Sequence, residues 1–175
     1  MRSDSGSPRR FPRVPHDRRV AAFAIDFGAA SLLGSFGGAN AVIPLFIIAW
    51  YGLRVILVVK NHGQSLGSWA LDIKVLDPRL RSVPGLLTLT QREAITGLGS
   101  LLIFLGLVNL SPANGFVLVA PLPLLVDYGF ALTDNEFRQA WHDRITGTVV
   151  VQTRRGYSLD IKVKKIFAQV GNRVK

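Results

Sequence analysis

Apolar residues gather into four long runs, and charged residues crowd into the segments between them. The runs predict helices at about 19–38, 41–59, 94–110 and 116–132, each long enough to cross or nearly cross a bilayer. The first is the weakest in hydropathy, being rich in Gly and Ala and interrupted by Asp26. Its small residues recur every four positions, at Ala22, Ala30, Gly34 and Gly38, with Asp26 in the same row. Such a stripe lets a neighbouring helix approach closely and turns Asp26 toward protein rather than lipid.

The links between runs differ in kind. Residues 37–40 and 111–115 carry no charge; helices one and two form an antiparallel hairpin, and the shorter three and four either cross the membrane or form a re-entrant hairpin. Residues 60–93 are mixed and polar. There Leu71, Ile73 and Val75 alternate with Asp72 and Lys74, which predicts a short strand or an interfacial segment. The five residues 71–75 recur identically at 159–163, so two such strands could pair with each other. Thr90 with Glu93 fits a capping box at the head of the third helix. Pro121 and Pro123 should kink the fourth, because each removes an amide donor and clashes with the carbonyl four residues back.

Composition agrees with this segregation: 49% of the 175 residues are hydrophobic, 18% are charged, and the mean hydropathy is +0.31. The expected fold class is an all-α membrane protein of about four helices, with a short strand element at the cytoplasmic surface. Residues 1–15 read as a disordered basic tail, 16–153 as the membrane domain and 154–175 as a basic cytoplasmic tail. Of the 21 Lys and Arg residues, all but Arg54 lie in the N-terminal region up to Arg19, the 60–93 segment or the C-terminal region from Arg138 onward, which predicts cytoplasmic termini. The net charge of +10 therefore sets topology and meets lipid headgroups, and nucleic acid is not an expected partner. The expected partners are the bilayer and a second copy or a membrane protein complex.

Chemistry in the chain is sparse. There is no cysteine, and His16, His62 and His142 show no ligand spacing, so neither a metal site nor a cofactor is expected. No nucleophile, zinc-peptidase or nucleotide-loop motif is present, and no enzyme activity is expected. The informative charges are those left inside the runs: Asp26, Arg54 and Asp127. An ionisable group at the centre of a bilayer costs roughly 2.5–3.5 kcal/mol by insertion scales. At a rise of 1.5 Å per residue, each of the three lies about 9–10 Å inside the cytoplasmic boundary. Arg54 is therefore expected to bridge Asp26 and Asp127 or to alternate between them. That arrangement suits an ion or ligand site, but also an ion pair that fixes helix registry, or an Arg54 that snorkels to headgroups.

Three pieces together resemble the RDD family of bacterial membrane proteins, named for one arginine and two aspartates. They are the 18–26 stretch ending in Asp26, the Gly63-Gln64-Ser65-Leu66-Gly67 turn with the following 71–75 alternation, and the Trp141-His142-Asp143-Arg144 stretch with 145–151. The resemblance implies that Arg19 is the family arginine, with Arg18 the near alternative. It makes Asp26 and Asp143 the two aspartates, and Arg92 an arginine often found before the third helix. Many relatives carry a basic residue after the Gly-x-x-Leu-Gly turn, where this chain has Ser68 and Trp69. Transport of unidentified ligands, and in some members sodium/proton antiport, is the activity the resemblance implies. The other function considered is an accessory or assembly protein that docks a partner complex or anionic lipid through its basic face. The candidate binding residues are Asp26, Arg19, Arg54, Asp127 and Asp143, in a bacterial inner or other internal membrane.

Overall fold

The computed structural model describes residues 14–111, 114–134 and 138–153. Most of both tails, including the second copy of the repeat at 159–163, lies outside the described residues. In chain order the elements begin with α1 (His16–Ser35), α2 (Gly38–Tyr51), a π turn (Gly52–Ile56) and α3 (Leu57–Lys60). There follow α4 (Leu66–Ala70), β1 (Ile73–Leu76), α5 (Leu86–Val108), α6 (Phe116–Val119), α7 (Leu122–Thr133), α8 (Trp141–Thr146) and β2 (Val149–Gln152).

Three helical segments are long and apolar enough to cross a membrane: Asn40–Lys60, Leu86–Val108 and Phe116–Thr133. The expected first span is the 20-residue α1. With Asp17, Arg18, Arg19 and Asp26 it is too charged to join them, so its position depends on protein contacts rather than on its own hydropathy. Its buried residues are Arg19, Ala22, Asp26, Ala30 and Gly34, the small-residue row of the sequence. Against that row pack α2 and α4. At Gly34 a Cβ would stand 3.0 Å from the Phe46 Cβ, so the hairpin closes only because none is there.

The π turn inside the second span was not expected from the sequence. It gives the helix one wider turn and places Arg54 on its buried side. The third helix begins at Leu86, eight residues before the expected start, directly after Pro84 and Gly85. Thr90 and Glu93 therefore lie within the helix, not at its head, and the expected capping box is absent because Gly85 occupies the N-cap position. The fourth run breaks as expected: α6 ends at Val119, and α7 restarts at Leu122 beyond Pro121. The 71–76 alternation yields β1, which pairs antiparallel with β2, Ile73 opposite Gln152 and Leu76 opposite Val149.

The aromatic centre of the bundle lies at the α1–α2–α5 meeting. Phe46 stacks on Phe104 with centroids 4.7 Å apart and on Trp50 at 5.8 Å, while Phe23 and Phe27 of α1 complete the cluster. Such pairs contribute about 0.5–1.5 kcal/mol each beyond simple burial. Where lipid replaces water outside the helices, this close packing carries association that hydrophobic transfer cannot. A second cluster joins Leu71, Ile73, Val75 and Val150 of the strand region to Ala22, Val55, Val58 and Leu89. Val14, just before α1, is also buried there, so packing already begins within the stretch expected to be tail.

α4 lies close against the backbone of α1. A Cβ on Gly67 would lie 2.0 Å from the carbonyl oxygen of Ala22, which belongs to a helix backbone that cannot yield. Gly67→Ala is therefore expected to destabilise the protein by ~1–3 kcal/mol, the usual cost of overpacking. Gly28 has nothing within 4 Å of such a Cβ, so Gly28→Ala should leave stability unchanged or slightly raised. Thermal melts of the two variants in detergent check this.

Candidate functional site

The first buried charge is placed by backbone. Asp26 faces α4, where its Oδ1 accepts the amide of Gly67 at 2.7 Å and its Oδ2 accepts the Ser65 hydroxyl at 2.6 Å. Ser65 also caps α4, its oxygen accepting the Ser68 amide at 3.2 Å. The Gly-x-x-x-Gly turn thus serves Asp26 twice, through a hydroxyl and through the amide of a residue with no side chain to keep α1 away.

Arg54 reaches the same carboxylate from the π turn, donating through Nη1 to Asp26 Oδ2 at 2.8 Å. Its other partner is Glu93, not Asp127. Nε donates to Oε2 at 2.6 Å and Nη2 to Oε1 at 3.2 Å, the paired geometry that favours a guanidinium over an ammonium. The guanidinium lies over the rings of Trp50 and Phe23, with centroid distances of 5.1 and 5.7 Å. Arg54 therefore does not snorkel. Glu93 is completely buried and also accepts from Thr96 at 2.8 Å and from Arg92.

Arg92 carries the chain of charges onward. Its Nε donates to Asp143 Oδ1 at 3.0 Å, and the other oxygen of Asp143 accepts from Arg19 Nη2 at 2.5 Å. Arg19 also donates to the carbonyl of Arg138. Asp143 is 0% exposed and sits in α8, a short helix closed by Gly147 in the left-handed conformation with φ 64°. The stretch His142 to Gly147 is thus a helical turn with a glycine stop, which aims one carboxylate at two arginines.

Asp127 holds the start of α8. Its Oδ1 accepts the backbone amide of His142 at 2.9 Å, and its Oδ2 lies 2.6 Å from the imidazole Nδ1. The expected Arg54–Asp127 contact is absent because the shorter route from Asp127 runs to α8. His142 was set aside in the sequence for want of ligand spacing, yet it links the two aspartates. Its Nε2 lies 3.3 Å from Asp143 Oδ1, an ion-pair contact when the ring is protonated, though without the alignment of a hydrogen bond.

All five residues expected from the sequence thus belong to one buried group, joined by Glu93, Arg92 and His142. Of the three additions, Arg92 and His142 stand in the stretches that carry the family resemblance, and Glu93 drew notice only as a capping residue. Three guanidiniums face four carboxylates: Arg19, Arg54 and Arg92 against Asp26, Glu93, Asp127 and Asp143. A proton on His142 would balance the set. Burial opposes that proton, but the charge of Asp143 and the hydrogen bond to Asp127 outweigh burial and raise the imidazole pKa above its ordinary 6.5. Burial likewise opposes the Asp143 charge, while His142, Arg92 and Arg19 hold its carboxyl well below 3.8.

A cavity of about 270 Å³ reaches this group. Arg19, Arg54, Arg92, Glu93, Asp127 and His142 line its polar end, whereas Asp26 and Asp143 stand behind the wall. The arrangement offers charges of both signs and one titratable pair to a small molecule or ion.

The signs of the two shifts give opposite pH dependences. The stability contributed by Asp143 is present above 3.8 and lost as pH falls through its depressed value. That of His142 is present below 6.5 and lost as pH rises through its raised value. The melting temperature should therefore fall as pH is raised from neutral, and His142→Gln should remove that fall; melts in detergent across the alkaline range check it. Asp26→Asn leaves a buried guanidinium half-paired and should destabilise by ~3–5 kcal/mol, read by the same melts.

A family model described as the RDD family matches residues 32–147, more than half of the chain. The matched part includes the Gly63–Gly67 turn, Arg92, Glu93 and the His142-Asp143 pair, and it begins after Arg19 and Asp26. No curated protein and no solved structure matches the chain. With membrane-crossing helices and a family match over this length, the chain belongs to the RDD family.

Proposed function

We propose that this RDD-family membrane protein transports a small ligand or a cation or proton through the cavity, using the Arg/Asp group as its site. One observation carries the reading: a single cavity brings His142 with its partner Asp127 and three guanidiniums together beside helices long and apolar enough to cross a membrane. A set of charges that served registry alone would need no cavity. Here the Asp26 end is saturated with donors and stands behind the wall, while Asp127 and His142 line the cavity. The proton carried or exchanged resides on the Asp127–His142 pair, and Asp26 with Arg54 holds the helices that form the wall. The protein is multi-pass in a bacterial inner membrane, with both termini and the 60–93 segment cytoplasmic. It works as an oligomer or within a membrane complex, because so few helices leave little protein to enclose a pathway.

Flux assays on reconstituted vesicles test the reading. Under a pH gradient the wild-type chain should move protons or monovalent cations. Asp127→Asn and His142→Gln should lose most of that flux while keeping a folded melt. Should wild-type vesicles carry no pH- or cation-dependent flux, and the protein instead purify from native membranes with a stoichiometric partner, the accessory reading replaces transport.

A further inference from the structure

Among the residues that line the cavity, only Val20 and Leu125 are exposed, at 51% and 63%. They stand on α1 and α7. α1 packs on α2 and α4, whereas α7 packs on α5 and α8, and α1 and α7 meet where the Tyr128 hydroxyl bonds to His16. The mouth of the cavity thus lies between α1 and α7 and is rimmed by two aliphatic side chains. Leu125 belongs to a segment long and apolar enough to cross the membrane, so the mouth faces hydrocarbon rather than water.

The lining is of two kinds: Phe23, Ile103 and Leu124 are apolar, and Arg92, Asp127 and His142 are polar or charged. At about 270 Å³ the space falls just below the ~300–1,000 Å³ of pockets that enclose whole small ligands, so it suits one chain and its point of attachment. The polar lining carries both signs. An anionic head would meet Glu93 and Asp127, and a cationic head would meet three guanidiniums. A head with both charges matches such a wall. His142, only 6% exposed, faces Asp143 through Nε2 at 3.3 Å without an aligned hydrogen bond, so that nitrogen is weakly held there.

We infer that the cavity binds an amphiphile of the bilayer, one apolar chain entering between α1 and α7 and a zwitterionic head resting on Arg92, Asp127 and His142. The inference rests on the transport reading for its site and deepens it by naming the class of ligand.

Native mass spectrometry of the full chain in mild detergent tests it, with phosphatidylethanolamine or phosphatidylglycerol added back after delipidation. One phosphatidylethanolamine per chain is expected, at several-fold higher occupancy than phosphatidylglycerol. Ile103→Trp, which fills the cavity from α5, should cut that occupancy several-fold with a melting temperature within a few degrees of wild type. Leu98→Trp, on an exposed face of the same helix, should leave occupancy unchanged. If Ile103→Trp does not fold, Leu124→Trp fills the space from α7 and is read the same way. Equal occupancy by the two lipids, or occupancy unaffected by filling the cavity, overturns the inference. So does an adduct that forms only after residues 154–175 are deleted, since the chain itself would then be the occupant. Loss of flux with the lipid retained removes the transport reading alone, and flux without a bound lipid removes this inference alone.

Discussion

The structure depends on one guanidinium that cannot reach water. Arg54 sits in the middle of an apolar helix with 9% of its surface exposed, where an unpaired charge would be expelled or would unfold its surroundings. Glu93 and Asp26 neutralise it, and each places a demand on the fold. Glu93 requires that α5 begin early enough for its second turn to lie beside α2. Asp26 requires α1, the least hydropathic of the long helices, to stay packed in the bundle. The π turn turns the guanidinium inward, and the glycine at 67 lets α4 bring an amide to Asp26. Replacing this group by apolar side chains of equal volume need not destabilise a fold, because burying charges costs about as much as pairing them returns. What the charges supply is a single registry: α1, α2, α5 and α8 cannot slide without breaking an ion pair.

The same pairs set the charge of the interior. Three fixed cations against four carboxylates leave one negative charge uncompensated, and His142 is the group among them that can correct it near neutral pH. The imidazole is therefore tied to the whole set and not only to its neighbours. Removing its proton unbalances carboxylates on three helices, and so a local titration is felt through α5, α7 and α8 together.

Much of this was legible from spacing, and the remainder was lost for a definite reason. The row Ala22, Asp26, Ala30 and Gly34 names the buried face of α1, because a four-residue period survives any placement of the helix. Alternation at 71–75 gave a strand, and Pro121 gave a break, because both are local. Depth along a helix is equally local, which is why Asp26, Arg54 and Asp127 all fall within one group. Azimuth is not local. Arg54 turns toward Glu93 because a π turn rotates the helix, and no residue in 52–56 announces that turn. Glu93 itself stood three residues after Thr90 and so resembled a capping residue, a pattern that an earlier helix start made irrelevant. β1 takes the 149–152 segment as a partner, a pairing no sequence identity marks, and the second copy of the repeat at 159–163 lies outside the described residues.

Asp26 and Asp127 show why a charge in an apolar helix is not by itself a working site. Both were found by the same argument, as carboxylates too costly to keep without a reason. Asp26 has its reason within the fold: an arginine, a hydroxyl and an amide occupy its oxygens, and it does not line the cavity. Asp127 is held by α8 alone, lines the cavity, and bonds an imidazole that lines it too. The cost of burial is similar at the two positions, but the remaining capacity to bond is not. On the transport proposal, function belongs at the α7–α8 junction, and the charge at Asp26 is the anchor that keeps the junction in place.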